Sequence, residues 1–169
     1  MRIIALNSNE KVSEQVAYLN AQLKKPGYRW CVVTFHHPIF PPGGKSGYKE
    51  QDRQQWKELF ARHKVDFVLQ GHDHVYVRGQ VPVIENDGTP GSGFQTLYVT
   101  SVSGPKQHKI NAEHLKSYAS EGYTTQRKAV NTQFFQVIEI DGDRVSYKAY
   151  TATDERTYEN TVRYSKENL

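Results

Sequence analysis

Four histidines stand in two pairs, and each pair closes an apolar run. His36 and His37 lie in "CVVTFHHPIF" at residues 31–40, and His72 and His74 lie in "FVLQGHDHVYVRG" at residues 67–79. An imidazole nitrogen is a good ligand for zinc or iron and an acceptable one for manganese. In an extended backbone, residues two apart project to the same side, so His72 and His74 could reach one cation or two adjacent ones. Gly71 would let the chain turn sharply beside an ion. Pro38 fixes the exit from the preceding run and leaves His36 at its tip. A lone HxH arises by chance, and a lone HHP is a weaker signal still. Two such pairs, each directly after a buried strand, make metal binding the leading expectation, provided that the two strand ends meet.

Whether they meet depends on the elements around them. Residues 2–7, "RIIALN", read as a short strand, and Val12, Val16, Leu19 and Leu23 recur at helical spacing, which predicts an amphipathic helix over 10–24. Pro26 and Gly27 stop it. Residues 29–35 are a continuous β-rich run, as expected of a strand covered on both faces. After a Pro- and Gly-dense loop, residues 51–63 read as a second helix and 65–70 as a third strand. This βαβαβ order predicts three parallel strands. Ligands of such sheets bind at the carboxyl ends of the strands, where both histidine pairs fall.

The second half changes rhythm. "VYVRGQVPVIE" is strand-like with turns, residues 86–93 are a turn cluster, and 94–102 form a strand. Residues 104–128 are polar and irregular, with a short helix near 112–119. "NTQFFQVIEI", a turn at Asp141-Gly142-Asp143 and "RVSYKAYTA" read as a hairpin, and "YENTVRYS" adds a last strand. The fold class is therefore α/β, a parallel βαβαβ unit followed by mostly antiparallel strands.

Composition sets wider limits. At 169 residues the chain fits one domain with a real core. The mean hydropathy is −0.74 and the net charge +4, spread without a run of like charges. Clustered Lys/Arg with interleaved aromatics is missing, which argues against nucleic acid. No apolar stretch approaches the roughly 20 residues of a membrane span, and no signal peptide is expected in "MRIIALN". Cys31 stands alone, so an intrachain disulfide is excluded, and it reads as a core residue.

"GHDHVYVR" resembles the GHxH signature of the calcineurin-like metallophosphoesterases, and "VVTFHHPIF" resembles their earlier HxP motif. The Tyr and Arg of "HVYVR" are closer to the purple acid phosphatase branch. "IIALNSNEKVSEQVAYLNAQL", "YVTSVSGPK" and "NTQFFQVIEIDGDRVSYKAYTA" resemble that branch's flanking elements, so the likeness covers most of the chain. It implies half of a metallophosphoesterase β-sandwich with flanking helices, residues 1–169 being the carboxy-terminal part of the domain. It implies a phosphate ester substrate and two metal ions (iron, zinc or manganese) in the intact domain. His36 and His72 match ligands of one metal, and His74 matches a ligand of the other. His37 falls at the variable position inside HxP and is expected to line the substrate side rather than to ligate. Parents of this branch are often exported, so a periplasmic or secreted parent is expected.

The departure from the family lies upstream. Its aspartate, GDxx and GNH motifs, which supply the bridging carboxylate, have no counterpart here, and residues 1–35 contain no aspartate. Two cations ~3.5–4 Å apart polarise a phosphate and acidify a water, but three neutral imidazoles cannot offset their charge. The chain alone is expected to hold one metal at most and to be inactive. A non-catalytic binding domain with the same fold is the alternative. No catalytic residue can be assigned. Lys45 and Tyr48, in the loop beside His36, and Arg78, after the metal loop, are candidate substrate contacts. His63 reads as a helix-end cation, and His108 and His114 as surface residues. Apolar side chains such as Val32, Val33, Phe35, Val68 and Leu69 point to both faces of the sheet, so if the partner half is absent the face that would meet it must be covered by the chain's own later strands or by a homodimer.

Overall fold

A computed structural model describes residues 1–43, 50–151 and 160–165. Strand β1 (Arg2–Ala5) leads through helix α1 (Glu14–Lys24) to β2 (Cys31–Thr34), and helix α2 (Glu50–Arg62) leads to β3 (Phe67–Gln70). These strands pair in parallel, as the βαβαβ rhythm requires. Next come β4 (Tyr76–Ile84) and β5 (Pro90–Thr100), then α3 (Ala112–Ser117), a 3₁₀ turn (Tyr118–Glu121) and β6 (Thr124–Ala129). The first sheet has the order β1-β2-β3-β5-β4-β6, with β5 parallel to β3 and β4 antiparallel to both its neighbours. Strands β7 (Phe134–Asp141), β8 (Arg144–Thr151) and β9 (Asn160–Ser165) form a second, antiparallel sheet. No helix among the described residues is long and apolar enough to cross a membrane.

The two-residue period of a strand explains why β2 and β3 are apolar throughout. Val33 and Val68 face a core shared with Leu19 and Leu23 of α1 and Trp56, Leu59 and Phe60 of α2. Val32 and Phe67 face the opposite core, with Leu97 and Val99 of β5. Phe134, Val145, Tyr147 and Ala149 of the second sheet close that core. The chain's own later strands thus cover the face that would otherwise be bare, and the motive for a homodimer through it is gone. Burial of each such side chain contributes roughly 1.5–3 kcal/mol. Cys31 is buried in the helix-side core, as expected.

Several sequence boundaries move. The helix expected from residue 10 begins at Glu14, because Lys11 sits at φ 53° and breaks the helical path. The turn cluster at 86–93 is shorter than expected, since β5 already starts at Pro90. Strand β6 starts inside the segment read as irregular and ends one residue past it; it is a polar sheet-edge strand, and its sequence TTQRKA carries no alternation. His63 is not a helix-end cation: burial, then the nearby Lys24 and Arg62, lower its pKa, and Nε2 is bonded to Asn20 Oδ1 at 2.9 Å.

Gly79 marks the tightest point of the sheet. A Cβ there would stand inside the Tyr123 ring. Tyr123 stacks on Phe40 with centroids 4.3 Å apart and is buried, so it has no room to yield. Gly79→Ala is expected to destabilise the fold by about 1–3 kcal/mol, the usual cost of overpacking. A urea midpoint equal to that of the parent chain would show that the ring does give way.

Candidate metal centre

The ladder between β2 and β3 carries the histidines to one place. Thr34 is in register with Leu69. Beyond the strand ends, Phe35 N–H donates to Leu69 O at 3.2 Å and Gly71 N–H to His36 O at 3.0 Å. His36 and the loop after β3 therefore leave the sheet side by side. His72 Nδ1 and His36 Nε2 lie 3.2 Å apart, within hydrogen-bond reach, so one ring donates and the other accepts.

The sharp turn is made by His72 itself, and not by Gly71. His72 has φ 63°, in the left-handed region, whereas Gly71 has no positive φ. Asp73 N–H donates back to Gly71 O at 2.8 Å, and Val75 N–H to Asp73 O at 2.7 Å. Two successive three-residue turns thus reverse the chain around His72 and His74. A non-glycine residue held at positive φ costs free energy and persists where its surroundings fix it.

His37 joins the pair. Ligand atoms of His36, His37 and His72 all lie within 4.8 Å of one another. The His37 and His72 ring centroids are 4.3 Å apart, and those of His36 and His37 are 5.0 Å apart. His37 is buried and anchored by Ser8, itself 2% exposed. The Ser8 hydroxyl oxygen accepts the His37 backbone N–H at 2.8 Å and lies 3.0 Å from His37 Nδ1. That contact orients the ring and leaves Nε2 as the nitrogen turned to other duties.

His74 does not join this group. Its Nδ1 lies 3.0 Å from Lys106 O, so Nδ1–H is the donor there. Its ring stacks on His108 at 4.7 Å, and its backbone N–H donates to His108 Nδ1 at 3.3 Å. His108, read from sequence as a surface residue, is thus a direct neighbour of the histidine loop. His114 is exposed. Asp73, between the two histidines, is buried and accepts the Gly43 backbone N–H through Oδ2 at 2.7 Å. Gly43 is packed so closely that a Cβ would meet that carboxylate at 3.1 Å. Arg78 is 3% exposed, with Nε donating to Gln126 Oε1 at 3.1 Å and its guanidinium 5.5 Å from the Tyr147 ring. It stands buried in the sheet, in register with Val99 of β5. Lys45 and Tyr48 lie outside the described residues.

Ser8, Asp73 and His108 are the parts that spacing did not reveal. Asp73 was visible inside "GHDH", but only the fold shows it turned to Gly43.

Electrostatics favour the uncharged forms of His37 and His72. Burial, then the neighbouring His72 and His36, lower the His37 pKa. Burial lowers that of His72, with the Asp73 charge opposing and His36, His108 and His74 adding to the drop. Together with His63, three groups have folded pKa values below the ordinary 6.5. The unfolded chain therefore takes up protons near pH 6.5 that the folded chain refuses. Their contribution to stability is present above that pH and is lost as pH falls through the lower folded values. With chelator present, the melting temperature is expected to fall as pH is lowered from neutral through the range below about 6.5. A flat profile across that window would mean that these rings are not strained against protonation.

No protein-family model matches the sequence, and no curated protein matches it. Solved structures do. A purple acid phosphatase from yellow lupin (Lupinus luteus) seeds superposes with a TM-score of 0.68 over 97% of this chain at 18% identity. GAP50 of Plasmodium, described as the anchor in the inner membrane complex, superposes with a TM-score of 0.66 over 96% at 16% identity. The chain spans 31% of the lupin protein and 48% of GAP50. In the mixed α/β sandwich, with parallel β1–β3 and the histidine edge at their carboxyl ends, the chain has part of the calcineurin-like metallophosphoesterase fold.

Proposed function

We propose that this chain is the histidine-bearing part of a metal-dependent phosphoesterase, one that hydrolyses phosphate monoesters as part of a longer parent protein. The observation that carries the reading is the meeting of His36 and His72 at 3.2 Å, at the carboxyl edge of a parallel sheet in a phosphatase-like fold. A bound zinc, iron or manganese ion would supply Lewis-acid charge for a phosphate ester. The chain's own residues supply neutral nitrogen donors, a rigid turn to hold them and a buried carboxylate close by. The intact domain would hold two metals, and a periplasmic or secreted parent suits this branch. A parent whose metal-dependent hydrolysis of an aryl phosphate is lost in His72→Ala would bear the reading out. A parent that binds metal but has no such turnover would sink it.

The isolated chain is expected to show negligible turnover of an aryl phosphate with added zinc, manganese or iron. Among the described residues the histidine group includes no carboxylate to bridge two cations. Robust turnover by the pure chain, abolished by His72→Ala, would overturn this expectation.

A second reading, a non-catalytic binding domain, draws on the same missing carboxylate and on the likeness to an anchor protein. The amino-terminal motifs of the parent discriminate the two: intact aspartate, GDxx and GNH motifs favour the enzyme.

A further inference from the structure

The donors present do not fit the two-metal arrangement that the family resemblance implies. Such a centre needs a carboxylate between its cations, and among the described residues the group of ligand atoms that meets here contains none, Asp73 turning its Oδ2 to the Gly43 N–H. It also needs His74 beside the others, and His74 lies outside the group formed by His36, His37 and His72. What the fold does bring together is a third imidazole, His37, from the position that HxP leaves variable.

Three nitrogens suit one cation. Zinc takes nitrogen ligands at roughly 2.0–2.1 Å, and a tetrahedron of that size has edges of roughly 3.3 Å. His72 Nδ1 and His36 Nε2 already lie 3.2 Å apart. One ligand nitrogen from each of the three rings falls within 4.8 Å of the others, so a ring movement completes a face of the tetrahedron. His37 also has the outer support that metal-binding histidines use. Its Nδ1 faces Ser8 Oγ at 3.0 Å, and a serine oxygen can accept both that Nδ1–H and the backbone N–H.

We propose that this chain binds a single zinc-type cation through His36, His37 and His72, with Ser8 positioning His37 and with His74 outside the coordination sphere. The proposal rests on the metal-centre reading above and differs from it in ligand set and stoichiometry. The fourth position stays open to water or to an anion.

The test is zinc titration of the purified chain against a chromophoric chelator, with cobalt substitution as a spectroscopic readout. One equivalent is expected to bind, with the intense visible bands of four-coordinate cobalt. His37→Gln, which nearly conserves size, is expected to weaken zinc at least tenfold. Ser8→Ala is expected to weaken it roughly tenfold, the lower range for an outer-shell partner. His74→Gln is expected to leave the affinity within about twofold, as for a group that does not touch the ion. Circular dichroism checks that each variant is folded. Two equivalents of zinc, or a His74→Gln loss matching that of His36→Gln, would overturn the three-histidine site and keep the metal reading. Binding indifferent to His37→Gln in a folded chain would do the same. A wild-type chain that binds no zinc would overturn both.

Discussion

Tyr147→Ala is expected to lower the stability of this chain by about 3–5 kcal/mol, the range for deleting a large buried aromatic. Tyr147 is fully buried in the core between the two sheets. It stacks with Phe67 of β3 at 6.4 Å, its hydroxyl meets that of Tyr76 at 3.3 Å, and the Arg78 guanidinium lies 5.5 Å from its ring. Truncation would open a cavity, remove one of the partners of the buried Tyr76 hydroxyl and remove the ring beside a buried cation. Small domains have a margin of only ~5–15 kcal/mol, so the variant is expected to melt roughly 10–15 °C lower. Tyr147→Phe is the control. It keeps the ring and loses one neutral hydrogen bond, for about 0.5–1.5 kcal/mol. Equal losses in the two variants would place the contribution in the hydroxyl and not in the packing. Because this residue joins the late hairpin to the early strands, the test also asks whether the second sheet is what lets the first stand.

The early half was legible because its signals are local. Continuous apolar runs at Cys31–Thr34 and Phe67–Gln70 are what a strand covered on both faces requires. The helix repeat of Leu19 and Leu23, and of Trp56, Leu59 and Phe60, likewise names the faces that become the core. Strand β6 was not legible, since an edge strand pairs on one side only and needs no apolar alternation. The start of α1 was missed because one residue, Lys11 at positive φ, decides it.

The candidate site divides the same way. His36 and His72 could be named from their positions after two buried runs. The roles of His37, Ser8, Asp73 and His108 depend on contacts spanning 29 to 34 residues, which no local pattern encodes. The sequence also suggested the wrong residue for the turn. Gly71 is the natural choice for tight backbone, yet the left-handed conformation falls on His72. A local preference was overridden where chemistry is concentrated, which is where such conflicts are expected.

That conflict makes His72 the most informative position. His72→Ala is expected to weaken zinc by at least about a hundredfold. Structural zinc sites are worth roughly 10–16 kcal/mol, and losing one of three protein ligands removes on the order of 3 kcal/mol or more, at least about two decades. The same position should show a separate effect without metal. At φ 63° an alanine carries the penalty of the left-handed region, roughly 1–2 kcal/mol, and a glycine does not. Metal-free His72→Gly is therefore expected to be more stable than metal-free His72→Ala by about 1 kcal/mol, while both lose zinc alike. Chelator competition measures the first difference and denaturant melts measure the second. Zinc affinity retained in both variants would remove His72 from the site. Equal stability of the two would mean that the backbone relaxes once the imidazole is gone, so that the ring, through its contact with His36, is what holds the turn in place.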